Sequence, residues 1–215
     1  MFSYIKIILL GLPTSLILML ISIILAFLLS LFFTKKIILK KNFFSLLIKL
    51  YIIIFTGTPF LIQLFFIYYG FGQLTTLYAN YWLLSLLSHP WLCAIIALAL
   101  NSAAYSTQLF IGSIRTISSG QWQACTALGM NKKQSLGILM PLAIKKSLRL
   151  YTNEIILVFK STSLVYTITI MDIMGYSKFL YGRSYDLLVF LAAGVIYFCV
   201  NSILLYLMNI FTKNS

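Results

Sequence analysis

The acidic residues of this sequence are the first candidates for chemistry, because there are only three: Glu154, Asp172 and Asp186. Glu154 and Asp172 are 18 positions apart, so an unbroken helix would place both carboxylates on one side, about 27 Å apart. A cationic solute would be attracted to a carboxylate at either end of such a helix. Pairing with Lys160 or Arg183 for purely structural reasons explains the acids equally well, and the sequence leaves both interpretations open.

A run of hydroxyl-bearing side chains lies between these two acids. The run consists of Thr162, Ser163, Tyr166, Thr167 and Thr169. On one continuous helix these side chains fall within about 160° of arc. A polar face of this width has to be turned towards protein or water, so we predict that it lines a path for a polar solute. The alternative is that the Ser and Thr hydroxyls bond back to carbonyls of their own helix.

The composition indicates that these residues are held in a membrane. Of 215 residues, 61% are hydrophobic and 9% charged, and the mean hydropathy of +1.01 is far above that of a water-soluble domain. A bilayer crossing needs about 20 apolar residues, and the segments that are long enough are residues 7–33, 50–69, 92–114, 154–174 and 187–211. We therefore predict an all-α integral membrane protein with five transmembrane helices, in which residues 1–215 form a single domain.

The basic residues predict the orientation of these helices. Sixteen Lys and Arg give a net charge of +13, and most of them lie at positions 35–49 and 115–149, in the loops after the first and third predicted spans. Cytoplasmic loops carry the excess of Lys and Arg, so the amino terminus is predicted outside and the carboxyl terminus in the cytoplasm. Topology thus explains the positive charge, and no nucleic-acid partner is predicted. Residues 71–91 carry no Lys, Arg, Asp or Glu but include Tyr and Trp, which predicts an outer interfacial loop.

The sequence predicts no catalytic, metal or nucleotide site. Cys93, Cys125 and Cys199 lack the spacing of metal ligands. The phosphate-binding loop that ends in Gly-Lys-Ser or Gly-Lys-Thr does not occur, and neither do the His-Glu-x-x-His and Gly-x-Ser-x-Gly patterns of hydrolases. We therefore predict that the chain is not an enzyme, binds no cofactor itself and holds no metal ion.

Residues 118–141 form a polar and basic insertion in a chain that is otherwise lipid-soluble. Two capping-box patterns predict the starts of two short helices, namely Ser118 with Gln121 and Asn131 with Gln134. Gly129 predicts the end of the first helix, because glycine accepts the left-handed conformation at little cost. Pro141 predicts the end of the second helix. The expected local fold is a helix, a tight turn and a second helix.

These two predicted helices share an apolar face, which consists of Trp122, Leu128, Met130, Leu136, Ile138 and Leu139. Ala124 and Ala127 leave part of the surface small enough for another backbone to approach closely. Three interpretations fit the pattern: a hairpin that only joins two spans, a DNA-binding helix-turn-helix, or a docking element for a cytoplasmic partner. The tether between two spans disfavours DNA binding, and a partly unburied apolar face favours docking.

The stretch GQWQACTALGMNKKQSLGILMP, residues 120–141, resembles the EAA loop in the membrane subunits of binding-protein-dependent ABC importers. In that pattern Glu-Ala-Ala is followed three residues later by Gly, and a hydrophobic stretch then ends in Pro. The aligned positions are Gln123 in place of Glu, Ala124, Cys125 in place of the second Ala, Gly129 and Pro141. The resemblance implies that these five residues belong to a loop that couples the permease to an ATPase.

Three further stretches resemble the polar amino acid importer permeases of the histidine and arginine transport family: residues 55–70, 101–122 and 153–177. The resemblance thus extends over nearly the whole chain and implies a type I importer permease in the bacterial inner membrane. The implied substrate is a polar or basic amino acid, with L-arginine expected first. The alternative is a secondary transporter or channel without an ATPase partner, although no inverted repeat is visible.

The resemblance also implies the partners of the chain. Two cytoplasmic ATPases would bind ATP and Mg²⁺ and hold the coupling loop at about residues 115–150. A second, related permease would complete the path within the membrane lipid, and a periplasmic amino-acid-binding protein would deliver the substrate. Because the chain lacks a phosphate-binding loop, the energy would have to come from the ATPase chains.

Overall fold

The structure, a computed structural model, describes residues 2–39, 42–77 and 88–213. In those ranges every regular element is helical. The α-helices are α1 (Phe2–Ile8), α2 (Leu12–Leu39), α3 (Phe43–Gly57), α4 (Phe60–Leu77), α5 (Pro90–Arg115), α6 (Ser119–Ala127), α7 (Lys132–Ser161), α8 (Ile173–Ser184) and α9 (Leu188–Lys213). Two 3-10 helices, Leu9–Gly11 and Thr162–Ile168, follow α1 and α7. The predicted all-α class is confirmed.

The number of membrane crossings in the described residues is three to five. Three continuous stretches are long and apolar enough to cross a bilayer: Ser3–Leu39, Pro90–Arg115 and Leu188–Ile210. Two more qualify only as bent pairs, with 112° between Phe43–Gly57 and Phe60–Gly70, and 49° between Lys132–Ile168 and Ile173–Ser184. Five crossings, the predicted number, is the upper limit.

The predicted second span, residues 50–69, is wrong as one straight helix because the chain bends at Thr58 and Pro59. A proline disfavours the helical conformation of the residue before it, and Thr58 is extended, with φ −118° and ψ 145°. Pro59 also lacks the N–H that a continuing helix would use. The bend therefore follows from one dipeptide inside an apolar run that periodicity alone treats as uniform.

The predicted fourth span, residues 154–174, is wrong as one unbroken helix. α7 gives way to the 3-10 helix Thr162–Ile168, and Thr169 then adopts a left-handed conformation with φ 72°. Asp172 follows as the N-cap of α8. The single helical face expected for Glu154, Asp172 and the intervening hydroxyl groups therefore does not exist.

The predicted outer loop, residues 71–91, is wrong at its beginning, where residues 71–77 continue α4 as a helix. No proline interrupts that stretch, so the helix can propagate past Gly72. Residues 78–87 lie outside the described part of the chain, so the prediction for them remains a prediction. α5 begins at Pro90, a position whose missing N–H costs no helical hydrogen bond, and His89 is extended before it.

α5 lies at the centre of the molecule and packs against α2, α3, α4 and α7. The buried face of α2 carries small side chains at regular spacing, namely Ser15, Ser22, Ala26, Ser30 and Thr34. α5 also buries small residues, which include Ala94, Ala97, Ser102, Ala103, Ala104 and Ser106. Small residues let two backbones approach closely inside a membrane. This spacing was a readable signal in the sequence that the prediction did not use.

The start of α8 is packed directly against the amino-terminal part of the chain. An added Cβ at Gly11 would lie 2.3 Å from the carbonyl carbon of Asp172 and 2.5 Å from the nitrogen of Ile173. The Ile173 N–H donates a hydrogen bond of 3.4 Å to the Ser15 hydroxyl. Gly11 is therefore the point at which the first crossing and the break before α8 meet backbone to backbone.

Replacing Gly11 with alanine is expected to lower the thermal unfolding temperature of the detergent-solubilised protein. The new methyl group overlaps backbone atoms of Asp172, which cannot rotate away as a side chain does, and overpacking of this kind costs about 1–3 kcal/mol. Gly57→Ala is the matched control, because a Cβ at Gly57 meets nothing within 4 Å. Equal unfolding temperatures for the two variants would contradict the close packing at Gly11.

Candidate functional site

The turn between α6 and α7 has the hydrogen bonds of a Schellman motif. Gly129 has φ +72°, its N–H donates to the Thr126 carbonyl at 2.9 Å, and the Met130 N–H donates to the Cys125 carbonyl at 3.1 Å. These two bonds satisfy carbonyl groups that the end of α6 would otherwise leave without partners. The prediction that Gly129 stops the first helix is confirmed.

One of the two predicted capping boxes is formed. The Asn131 side chain accepts from the Gln134 N–H at 3.0 Å, and the Gln134 side chain accepts from the Asn131 N–H at 2.8 Å. The capping box at Ser118 is wrong, because the Ser118 side chain makes no cap hydrogen bond and only its carbonyl accepts from Gln121, at 3.1 Å. Both of those residues are exposed, so water can satisfy the amide groups that begin α6.

The prediction that Pro141 ends the second helix is wrong, because α7 runs through Pro141 to Ser161. A proline inside a helix leaves the carbonyl four residues earlier without its partner, and here that residue is the exposed Gly137. Solvent can therefore take the place of the missing N–H. Leu139 and Ala143 are buried in the same apolar cluster on either side of Pro141, which favours continuation of the helix by packing.

The predicted apolar face divides into a buried part and an exposed part. Leu136 and Leu139 are buried together with Ile114, Ile117 and Cys125, whereas the side chains of Leu128 and Ile138 are 80% and 58% exposed. Gln123, Ala124 and Ala127 are exposed as well. We call Gln123, Ala124, Ala127 and Leu128 the docking face. Of the aligned coupling positions, Cys125 faces inward and helps to hold α6 on α7, while Gln123, Ala124, Gly129 and Pro141 lie on the surface.

A second feature is a cavity of about 240 Å³ where the bend between α3 and α4 meets α5 and α7. Its polar lining consists of Thr58, Asn101, Tyr105, Glu154 and Ser161. Glu154 is only 8% exposed. A carboxylate in a small, largely apolar cavity is suited to bind a positively charged group, because low dielectric strengthens such a pair.

Gln63 stabilises the bend beside this cavity, and it was not among the residues predicted from the sequence. Its Nε2 donates to the carbonyl oxygens of Phe55 and Thr58 at 2.8 and 3.0 Å, and to the Thr58 hydroxyl at 2.8 Å. Asn101 Nδ2 donates to Gln63 Oε1 at 2.9 Å. The carbonyl groups of Phe55 and Thr58 thereby gain hydrogen-bond partners, and Gln63 links the bend to Asn101 of α5. An amide side chain within an apolar segment was the available signal, because such residues usually have a specific role in membranes.

Of the residues predicted to line a path, Glu154 alone lines this cavity. The Thr162 and Thr167 hydroxyls donate to the carbonyls of Phe159 and Leu164, each at 2.7 Å, so the alternative of bonding back to the helix is confirmed for both. Ser163 lies in a different groove, beside α9.

Asp172 has a different environment from Glu154. It is fully buried, and its carboxylate accepts the Gly175 N–H at 2.8 Å and the Tyr197 hydroxyl at 3.3 Å. These bonds start α8 and fix it to α9, so the geometry favours a structural role for this acid. Asp186 accepts from the Tyr4 hydroxyl at 3.1 Å and from the Leu188 N–H at 2.9 Å, which ties α1 to the start of α9.

Comparisons with known proteins give a consistent result. Residues 26–214 match the family described as binding-protein-dependent transport system inner membrane component. The chain is 58% identical over 177 residues to the arginine ABC transporter permease protein ArtM of Escherichia coli, which covers 82% of this chain and 80% of that protein. It is 48% identical over 207 residues to ArtM of Haemophilus influenzae, covering 94% of this chain and 88% of the relative.

More distant matches agree. The nopaline transport system permease protein NocM of Agrobacterium fabrum is 40% identical over 187 residues, or 86% of this chain and 78% of that protein. Among solved structures, a crystal structure of an amino acid ABC transporter with histidines superimposes with a TM-score of 0.86 at 24% identity, covering 100% of this chain and 97% of the other. The last match establishes similarity of fold. None of these matches supports a secondary transporter or a channel.

Proposed function

Because this chain belongs to the family of binding-protein-dependent transport system inner membrane components, we propose that it is the subunit through which an ABC importer moves a basic amino acid, L-arginine first, into the cell. As a member of that family it is an inner membrane protein and a transport subunit, not a catalytic enzyme. Membership also implies a separate ATPase and a substrate-binding protein. Two relatives named as arginine permeases support the choice of arginine.

The observation that carries the substrate proposal is the placement of Glu154 in the cavity beside the α3–α4 bend. Its carboxylate is the counter-charge for the side-chain cation of a basic amino acid, and Asn101, Tyr105 and Thr58 offer neutral hydrogen-bonding groups around it. An amino acid that reaches the cavity exchanges water for this preformed polar lining. Selectivity for a basic amino acid follows because a neutral side chain would leave the carboxylate unpaired, which is costly at low dielectric.

The docking face is the proposed contact for the ATPase, and ATP and Mg²⁺ remain on that partner. Leu128 and Ala124 offer apolar area, and the turn at Gly129 holds α6 rigidly on α7. Rigid-body movement of the ATPase would therefore be transmitted to α7, whose far end reaches Glu154 and the cavity. With one ATPase on each of two permease subunits, the assembly has two ATPases.

We infer five crossings, with each bent pair counted as one, and an amino terminus outside the cell. The basic residues Lys35, Lys36, Arg115, Lys132 and Lys133 lie at the ends of α2, α5 and the start of α7, which would meet on the cytoplasmic side under the positive-inside rule. The docking face lies on the same side as these cations, where a cytoplasmic ATPase can reach it.

A second, related permease chain is proposed to cover the surface between α7 and α9. Arg149 belongs to the predicted cytoplasmic loop. Lys160 lies 11 residues further along α7, a rise of about 16 Å, or about half of the hydrocarbon thickness of a bilayer. Its side chain is exposed in the single chain. The adjoining groove contains Asn201, whose Oδ1 has no hydrogen-bond partner among the described residues. A charge and an unpaired amide at this depth require protein or water against them.

A photoreactive side chain at Ser202, in this groove, is expected to cross-link to a second permease chain in native membranes. The control position is Leu28 on α2, which is 59% exposed and is expected to give no protein adduct. Mass spectrometry of the cross-linked bands identifies the partner. Protein adducts at Leu28 and none at Ser202 would place the second subunit elsewhere.

Reconstitution tests the proposed function as a whole. The permease is purified from its own membranes with the chains that accompany it, inserted into proteoliposomes and supplied with ATP inside and the binding protein outside. Uptake of radiolabelled L-arginine that needs both ATP and the binding protein is the expected result. Uptake without ATPase subunits, or ATP-dependent uptake of neutral amino acids in preference to arginine, would overturn the mechanism or the substrate respectively.

A further inference from the structure

A groove of about 360 Å³ lies on the surface between the end of α2, α3 and α5, away from the Glu154 cavity. Two cations from distant parts of the sequence, Lys49 and Arg115, line it together. Both are exposed. The positive-inside rule explains why each cation stands near the cytoplasmic side, but it does not require the two side chains to converge on one groove.

The remaining lining of this groove is apolar except for one amide. Gln108, Ile111, Gly112 and Arg115 follow one another at helical spacing, so they form a single face of α5. Lys49, Ile52 and Ile53 do the same on α3. The groove therefore combines two positive charges with adjoining isoleucine side chains.

α3 and α5 run in opposite directions here, which orders the groove by depth. The Tyr105 hydroxyl donates to the Thr56 carbonyl at 3.3 Å, so the carboxyl-terminal half of α3 lies beside the middle of α5. Arg115, the last residue of α5, then lies towards the membrane surface, and Gln108 is about 10 Å deeper along the helix. With the end of α5 at the cytoplasmic surface, as proposed from the charge distribution, the charged end of the groove would lie at headgroup level and Ile111 at the level of the acyl chains.

We propose that this groove binds one anionic phospholipid of the cytoplasmic leaflet. The guanidinium of Arg115 binds phosphate oxygens with its planar fork, and the Lys49 ammonium adds a second charge. An acyl chain lies along Ile52, Ile53 and Ile111, with Gln108 at the deep end of the groove. A basic pocket between membrane helices on this side is suited to such headgroups.

Charge complementarity supports a lipid rather than a protein side chain of this molecule as the occupant. No acid lines the groove. The three acids of the sequence lie elsewhere, with Glu154 at the cavity, Asp172 buried at the start of α8 and Asp186 bonded to Tyr4. The phosphate of a lipid is the negative group that a membrane always supplies at this depth.

Gly112 provides a variant that fills the groove without changing its charge. A Cβ at Gly112 meets nothing within 4 Å, so leucine can be introduced without overlap at its first side-chain atom. The second variant carries Lys49→Gln and Arg115→Gln, which keeps hydrogen-bonding capacity and removes both charges. Lys178→Gln, on α8 and outside the groove, controls for the loss of charge in general.

The test is lipid titration of the delipidated importer complex, followed by native mass spectrometry. Dioleoyl phosphatidylglycerol is expected to bind the wild-type complex with at least about tenfold higher affinity than dioleoyl phosphatidylethanolamine. Both groove variants are expected to lose this preference, and Lys178→Gln is expected to retain it. Inorganic phosphate is the competitor that separates a lipid site from a simple anion site, and millimolar phosphate is expected to leave the lipid bound.

Four results would overturn the proposal. The first is equal binding of the two lipids by the wild-type complex, and the second is unchanged preference for phosphatidylglycerol in both groove variants. The third is displacement by inorganic phosphate, which would make the groove a site for a free anion. If Gly112→Leu releases a second protein chain while lipid binding is unchanged, the groove is a protein interface instead.

Discussion

Glu154→Gln is expected to reduce ATP-dependent arginine uptake in proteoliposomes by roughly a hundredfold, because loss of one partner of a largely buried charge pair costs about 3 kcal/mol. The substitution preserves the volume of the side chain and removes only its charge. Since Glu154 is 8% exposed and lines the cavity, the lost charge is not replaced by solvent. ATP hydrolysis by the partner in the absence of substrate is expected to continue, because the docking face is unchanged.

Asp172→Asn is the matched control for the charge of Glu154. Asparagine is as good an N-cap as aspartate, so the bond from the Gly175 N–H at 2.8 Å can be retained and α8 should still form. Uptake of arginine is therefore expected to stay near that of the wild type. If the two variants lost uptake equally while remaining folded, both acids would lie on the path and the cavity would not be the only substrate contact.

Gly129→Val is expected to uncouple transport from ATP hydrolysis. Gly129 has φ +72°, and a Cβ there would meet nothing within 4 Å, so the cost arises from the backbone conformation and not from a clash. A left-handed residue with a side chain costs about 1–2 kcal/mol, and more when it is β-branched. The Schellman turn would open, α6 would lose its fixed position on α7, and substrate would no longer stimulate the ATPase.

Two further variants separate the turn from the general effects of a larger residue. Asparagine tolerates the left-handed conformation better than valine does, so Gly129→Asn is expected to retain most of the coupling. Gly137→Val places the same side chain on the exposed surface of α7, where a Cβ also meets nothing within 4 Å, and is expected to transport normally. Substrate-stimulated ATPase activity and uptake are measured in parallel. Full coupling in Gly129→Val would show that the turn geometry is dispensable.

The coupling region was largely predictable from the sequence because its signals are local. Gly129 and the Asn131–Gln134 box act through hydrogen bonds within three to five residues, and the residue types in that window suffice to specify them. Ser118 failed as a cap because both members of that pair are exposed and water can replace the side chain. Pro141 failed as a stop because burial of Leu139 and Ala143 across it outweighs one missing hydrogen bond.

The cavity at Glu154 could be predicted only in part. Glu154 was identified because an acid is rare in an apolar segment, but the residues that surround it come from the α3–α4 bend and from two other helices, α4 and α5. Thr58 reaches the cavity through the bend at Pro59, and Asn101 through the position of α5. Gln63, which holds the bend, bonds to Phe55 before the bend, to Thr58 within it and to Asn101 of α5. Periodicity carries no information on such contacts.

By itself, the sequence determined that this is an all-helical membrane protein of the importer permease family, because apolar content, helix-terminal residues and the coupling motif are properties of consecutive residues. Only the tertiary structure decided that the helix breaks at Thr169 and which polar groups meet. The breaks at Thr58 and Thr169 persist because neighbouring elements satisfy the freed backbone groups and pack against them, as Gly11 does at Asp172. At the break before α8 the stabilisation depends on Ser15, which is 158 positions from Ile173, so it exists only in the folded chain.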